Sequence, residues 1–390
     1  MKPRLLLPFV VLSAACGGGA AGPRGVDGEA GAAGSAPSAG AAGSGASTSA
    51  AGSVSGGVAN GGSGGSGSVV GGSGGVTSLA GSGGDGSGGG GGPLVHPAQR
   101  TVVYLPSYRG ALGTWATKLD FSRVSYVNAC FAEVDAAGDV TYADATLDSF
   151  VAAAHAKGVK VCMAIGGATV IDTGGVFASV LQDGMRDAFV SKLGQYAVDH
   201  QLDCIDVDLE GNGVNSYYEA FVTSLGAKLH SENKELTAAV SSWFGEKISA
   251  QAIQAFDFIN VMAYDLHNPS GSSQPVQSSS IEEATKEVDY WVGRGLAKNK
   301  AVFGVPFYGY RWSGAQGEAL TYAEIVAKNP AAATQDQVEI DGGTVFLNSR
   351  TTIAAKAALA KSYGGIMVWE LGQDAAGEAS LLKAIADASQ

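Results

Sequence analysis

A closed parallel (β/α)8 TIM barrel, an α/β fold, preceded by a disordered Gly/Ser/Ala-rich linker, is what this chain of 390 residues predicts. Three observations lead there. Short apolar, β-rich runs recur eight times beyond Val95 with amphipathic segments between them, the rhythm of a parallel barrel. One of these runs, Asp203 to Glu210, alternates apolar and acidic residues with a period of two. And most of the 59 glycines fall before Pro93, among Ser and Ala and almost without aromatic residues. That stretch cannot bury enough apolar surface to offset its chain entropy.

The chain opens with Lys2 and Arg4, an apolar run from Leu5 to Leu12, and small residues before Cys16. This is the pattern of a bacterial-type secretion signal, so residues 1–16 are expected to be a leader. The Ser13-Ala14-Ala15-Cys16 junction resembles a lipoprotein cleavage site, which makes Cys16 the candidate lipidation residue and the protein either released or anchored at the outer surface. The apolar run is too short to span a bilayer. Residues 17–94 then read as a flexible spacer with neither a collagen period nor heptads. Residues 95–390 remain for one large domain, ample for a core.

Within that domain strands are expected at Thr101 to Leu105, Arg123 to Ala132, Val159 to Ile165, Leu202 to Glu210, Leu236 to Ser241, Phe258 to Tyr264, Ala301 to Pro306 and Gly365 to Trp369. Helices are expected at Leu147 to Lys157, Met185 to His200, Tyr217 to His230, Ile281 to Arg294 and Thr352 to Ser362, where apolar residues recur at three and four. An open doubly wound sheet is the rival architecture, but no Gly-rich phosphate loop follows the first strand.

In a barrel, chemistry collects at the carboxyl ends of the strands. Glu210, Tyr264 with Asp265, and Trp369 with Glu370 all fall there. On the fourth strand Ile205, Val207 and Leu209 take one face and Asp206, Asp208 and Glu210 the other. Like charges on a half-buried face push one another's pKa values apart, which is how one carboxyl becomes an acid while its neighbours stay ionised. A net charge of −12 with no basic cluster argues against nucleic acid as a partner. Cys130, Cys162 and Cys204 lie in the second, third and fourth strands; at most one disulfide can form among them, and buried thiols are expected. His96, His155, His200, His230 and His267 show no zinc spacing with these cysteines, so neither metal nor cofactor is expected.

From about Arg100 the chain resembles glycoside hydrolase family 18, the chitinase-like group. The acidic run Asp203-Cys204-Ile205-Asp206-Val207-Asp208-Leu209-Glu210 is similar to the family's D-G-x-D-x-D-x-E. Ala164 to Gly167, Asn260 to Asp265, Gly304 to Gly309 and Gly365 to Glu370 match further family segments in order. The resemblance implies hydrolysis of β-1,4-linked N-acetylglucosamine glycans, chitin first, by a retaining mechanism in which the substrate's own acetamide is the nucleophile. It assigns Glu210 as acid and base, Asp208 to the acetamide, Asp206 to proton sharing with Asp208, and Tyr264 to the acetamide oxygen. Trp369 would floor the sugar, with Asp265, Tyr104, Tyr308, Phe131 and Met262 lining the cleft and Tyr104 touching the inner aspartate. The partner is then an N-acetylglucosamine-containing oligo- or polysaccharide, met by a monomer. An endo-N-acetylglucosaminidase on N-glycans, or a non-catalytic glycan-binding protein, are the alternatives.

Two departures stand out. Ala164 replaces a serine near Asp206, and Cys204 replaces glycine on the inward parity, where a neighbour must make room. Between the last two strands, Arg311 to Tyr363 is too short for the full insertion domain that deepens the cleft of many processive members, so a shallower cleft is expected.

Overall fold

The computed structural model describes residues 99–269 and 274–389. The expected leader, Cys16 and spacer lie outside the described residues.

The eight barrel strands are β1 (Arg100–Pro106), β2 (Tyr126–Val134), β3 (Lys160–Gly167), β4 (Cys204–Leu209), β5 (Glu235–Val240), β6 (Phe258–Val261), β7 (Ala301–Pro306) and β8 (Gly365–Trp369). Each pairs in parallel with its sequence neighbours, and β1 pairs with both β8 and β2, which closes the ring and leaves no edge. The expected barrel is therefore the fold, with strand ends displaced by up to three residues from the predicted ones. The largest displacements are at Arg123, which lies in a short 3-10 turn before β2, and at Tyr264, three residues past β6. A two-residue arm, Val140–Thr141, pairs antiparallel with the end of β2.

Helices Leu147–His155, Arg186–Asp199, Tyr218–Ser231, Ile281–Gly293 and Arg350–Ala360 cover the sheet where their periodicity predicts. Leu112–Lys118, Ala250–Ala255, Tyr322–Lys328 and Leu381–Ser389 are additional. The first three span only two turns or less, too few for a period to show. Ser280 caps its helix by accepting from Glu283 N, and Thr321 with Glu324 forms a full capping box.

The core divides by strand parity. Ile205, Val207 and Leu209 of β4 join the apolar layer between sheet and helices, whereas Cys204 packs inside the barrel with Tyr104, Cys130, Cys162, Ala164 and Met367. Here the expectation of buried thiols is corrected: Cys162 and Cys204 form a disulfide, and of the described cysteines Cys130 stays a buried thiol. The two are register partners on adjacent strands, with Cα atoms 4.5 Å apart, so the side chain in place of glycine meets a second sulfur.

Between β7 and β8 the chain builds a four-stranded antiparallel sheet in the order Gln316–Thr321, Tyr308–Ser313, Gly343–Phe346, Gln337–Ile340. It is a compact insertion rather than a plain loop, and its second strand in that order starts two residues after β7.

Candidate active site

The inward residues of β4 climb the barrel in steps of two: Asp206 fully buried, Asp208 at 3% exposure, and Glu210 just past the strand in extended backbone, partly open to solvent. The neighbouring strand makes room for them. Gly166, register partner of Asp208, has φ +104°, and a Cβ there would collide with the Asp208 carbonyl oxygen. Gly211 (φ +54°) turns the chain directly after Glu210; a Cβ on it would lie 2.6 Å from the Ile171 carbonyl oxygen.

Among the described residues no cation pairs with Asp206. Its oxygens accept from Tyr104 Oη and Thr237 Oγ1 at 2.5 Å each and from Asn260 Nδ2 at 3.2 Å. Thr237 is the β5 register partner of Asp206, while Ala164, its β3 partner, offers only a methyl group. Burial raises the Asp206 pKa and these hydrogen bonds work against that rise. Asp208 is pushed well above the usual carboxylate range, first by burial and then by the charges of Glu210 and Asp206; its Oδ1 is buried with no hydrogen-bond partner among the described residues. Glu210 keeps a partial opening to solvent, yet it is enclosed enough that desolvation, helped by the Asp265 charge, lifts its pKa from 4.5 to about 7.

Across the mouth, Asp265 sits at φ +56°, an uncommon backbone for a non-glycine residue, and its Oδ1 accepts from Tyr308 Oη (2.7 Å) and Tyr310 Oη (2.8 Å). Burial raises its pKa against those two bonds. Tyr264 is 8% exposed, its ring edge-on to Tyr308 at 6.4 Å, and burial with the surrounding carboxylates keeps its phenol protonated. Gly304 of β7 leaves the space: a Cβ there would lie 3.1 Å from the Tyr264 ring. Trp369 ends β8 with its ring 5.4 Å from Tyr104 and 6.1 Å from Phe131. Met262 is half-buried between the inner and outer apolar clusters. The peptide bonds Cys130–Phe131 and Trp369–Glu370 are both cis.

Thus Glu210, Asp208, Asp206, Tyr264, Asp265, Tyr104, Tyr308, Phe131, Met262 and Trp369 all occupy the carboxyl end or interior of one barrel. Glu370 does not join them as a free acid: it is fully buried, held by Arg109 Nε at 2.5 Å and Gly372 N at 2.8 Å. Sequence reasoning missed Thr237, Asn260 as a hydrogen-bond donor, and Tyr310. For Tyr310 a signal existed, since Tyr308, Tyr310 and Trp312 alternate along one strand and share a face. A cavity of about 310 Å³ lined by Tyr142, Asp148, Tyr196 and His200 contains none of the residues of this cluster.

The molecule is thus a (β/α)8 barrel with a ladder of buried carboxylates rising to its rim. The sequence profile of Glycosyl hydrolases family 18 matches residues 100–374, and the chain belongs to that family. A GH18 chitinase from the chitin utilization locus of Flavobacterium johnsoniae is similar at TM-score 0.69 and 33% identity, over 75% of this chain and 94% of that one. A chitinase-like effector of Moniliophthora roreri is 27% identical over 226 residues, 50% of this chain and 54% of its own, and an Endochitinase of Brugia malayi is 26% identical over 273 residues, 56% and 54%. The chain spans about half the length of these curated relatives.

Proposed function

We propose that the chain is a retaining, substrate-assisted glycosidase acting on β-1,4-linked N-acetylglucosamine glycans, chitin or its oligosaccharides, with Glu210 as acid and base. The observation that carries this is the gradient along β4: a deeply buried aspartate held by neutral donors, a second with an unpartnered oxygen, and a glutamate with a pKa of about 7 at the opening. A carboxyl titrating there is protonated in a large share of molecules at neutral pH and releases its proton readily.

In the first step the acetamide oxygen bonds to the anomeric carbon while the bond to the leaving oxygen breaks, and that oxygen takes the proton of Glu210. Asp208 Oδ1 accepts the acetamide N–H, and the positive charge of the forming oxazolinium favours the ionised form of Asp208, which stabilises it in turn; the Tyr264 phenol donates to the acetamide oxygen. Trp369 carries the sugar's apolar face. In the second step water adds to the anomeric carbon, Glu210 takes its proton, the ring reopens, and the released sugar keeps the β configuration. The Cys162–Cys204 disulfide supports a location outside the reducing cytoplasm, secreted or at the outer surface.

The test is to follow the anomers released from chitin oligosaccharides by NMR within the first turnovers. A β product, inhibition by a thiazoline analogue of the cyclic intermediate, and inert deacetylated or glucose oligomers are expected. Initial α product, or glucose oligomers cleaved at a comparable rate, would overturn the mechanism. Tight binding with no cleavage would instead identify a non-catalytic glycan-binding protein.

A further inference from the structure

One lysine among the described residues is wholly enclosed. Lys356, on the helix Arg350–Ala360, has no exposed surface, and its Nζ donates to three neutral oxygens, Ser279 O, Ser279 Oγ and Asn348 Oδ1, each at 2.7 Å. Those three bonds use every hydrogen of an ammonium group. Burial lowers its pKa to about 7, against the attraction of the Asp336 charge. Taking such a group out of water without a carboxylate in contact costs free energy that an apolar side chain of the same length would avoid. Filling the space does not require a lysine.

What the lysine holds gives it a purpose. The Ser279 hydroxyl accepts from Lys356 and donates its own hydrogen to Ala263 O at 2.6 Å, and the next bond along, from Leu266 N to Ser278 O, is 3.0 Å. Ala263 and Leu266 flank Tyr264 and Asp265, so the two bonds bracket both site residues. Asn348 Nδ2 adds a bond to Ser279 O at 3.0 Å, and Gln277 Nε2 one to Leu347 O at 2.6 Å, which pin the returning chain from behind. The bracket has work to do at Asp265, whose φ of +56° lies in the left-handed region. A backbone of that kind persists only where its surroundings over-determine it.

We propose that Lys356 is a positioning residue for the reaction: through the Ser279 hydroxyl it fixes the backbone at Ala263 and so aims the Tyr264 phenol at the acetamide oxygen of the sugar. Enclosed between helix and sheet, it touches no substrate itself. This inference rests on the function proposed above and adds to it a residue from the helix layer.

The test compares Lys356→Met and Ser279→Ala, each alone and each combined with Tyr264→Phe, on the N-acetylglucosamine pentasaccharide at a temperature well below every unfolding midpoint. Alone, each should lower kcat about ten-fold and change KM by less than about two-fold. Added to Tyr264→Phe, each should cost less than about two-fold more, because the phenol that it aims is already gone. An equal loss in both backgrounds, a loss carried by KM, or no loss at all would overturn the assignment. Should Lys356→Met fail to fold, Ser279→Ala carries the same comparison. If the wild type cleaves nothing, the catalytic reading fails by itself, and hydrogen exchange then decides the positioning. Exchange at the Leu266 amide about ten-fold faster in Ser279→Ala, with the β4 amides unchanged, supports it; an unchanged Leu266 amide overturns it.

Discussion

The two ends of this barrel carry the same acidic side chains in opposite circumstances. At the amino ends of the strands, Asp203 meets His155 at 2.8 Å, Asp257 meets His230 at 2.9 Å and Glu235 meets Lys160 at 2.6 Å, all with solvent access. Asp203 and Asp257 also accept a backbone N–H, from Val161 and Leu236, and so fasten the start of one strand to the residue before another. At the carboxyl ends, Asp206, Asp208 and Asp265 are enclosed and, among the described residues, have no cation paired with them; tyrosine and threonine hydroxyls and one amide serve Asp206 and Asp265. Burial without a counter-charge is what lifts their pKa values. The lesson is that partner and solvent access, not residue type, separate a carboxylate that fastens strands from one poised for proton transfer.

The largest expected effect sharpens that contrast. Glu210→Gln keeps shape but has no proton to transfer, so turnover should fall about 100- to 10,000-fold. The same variant reports on the cost of the site. Because the folded pKa of Glu210 is raised from 4.5 to about 7, its contribution to stability is complete below 4.5 and is lost as pH rises to about 7. Melting temperatures of wild type and Glu210→Gln should therefore coincide near pH 4 and separate in favour of the variant by pH 8. Coincidence throughout would mean that Glu210 is not desolvated.

Asp208→Asn should come next, with kcat reduced about 100-fold and KM changed far less, because its charge matters most when the oxazolinium forms. Comparable changes in both constants would assign Asp208 to ground-state binding. The pH profile is a milder probe: with a general acid titrating at about 7, kcat/KM should drop about ten-fold per pH unit on the alkaline side of that value. An alkaline limb displaced by two units would contradict the enclosure of Glu210.

Asp257→Ala is the smallest and the control. It removes a backbone acceptor and the His230 partner at the far end, so unfolding in urea should show a loss of about 1 kcal/mol, while turnover stays within about two-fold of wild type. A turnover loss approaching that of Glu210→Gln would break the division between the two ends.

Much of this division was written along the chain. The alternation Ile205/Val207/Leu209 against Asp206/Asp208/Glu210 is local geometry, because successive side chains of any strand point to opposite faces, so the carboxylate ladder and its apolar back were legible before any contact was known. The same holds for the eight strands and the five long helices, each with enough residues to display a period. Short helices such as Ala250–Ala255 and the small sheet after β7 gave too little repetition to read.

What only the tertiary structure decided is which distant groups meet that ladder. Thr237 and Asn260 reach Asp206 from 31 and 54 positions away, Tyr310 shares the Asp265 oxygen with Tyr308, and Cys162 finds Cys204 instead of Cys130. Parity tells which face a side chain takes but not which neighbour stands opposite. That depends on the stagger with which the closed ring sets one strand against the next, and no single segment encodes it.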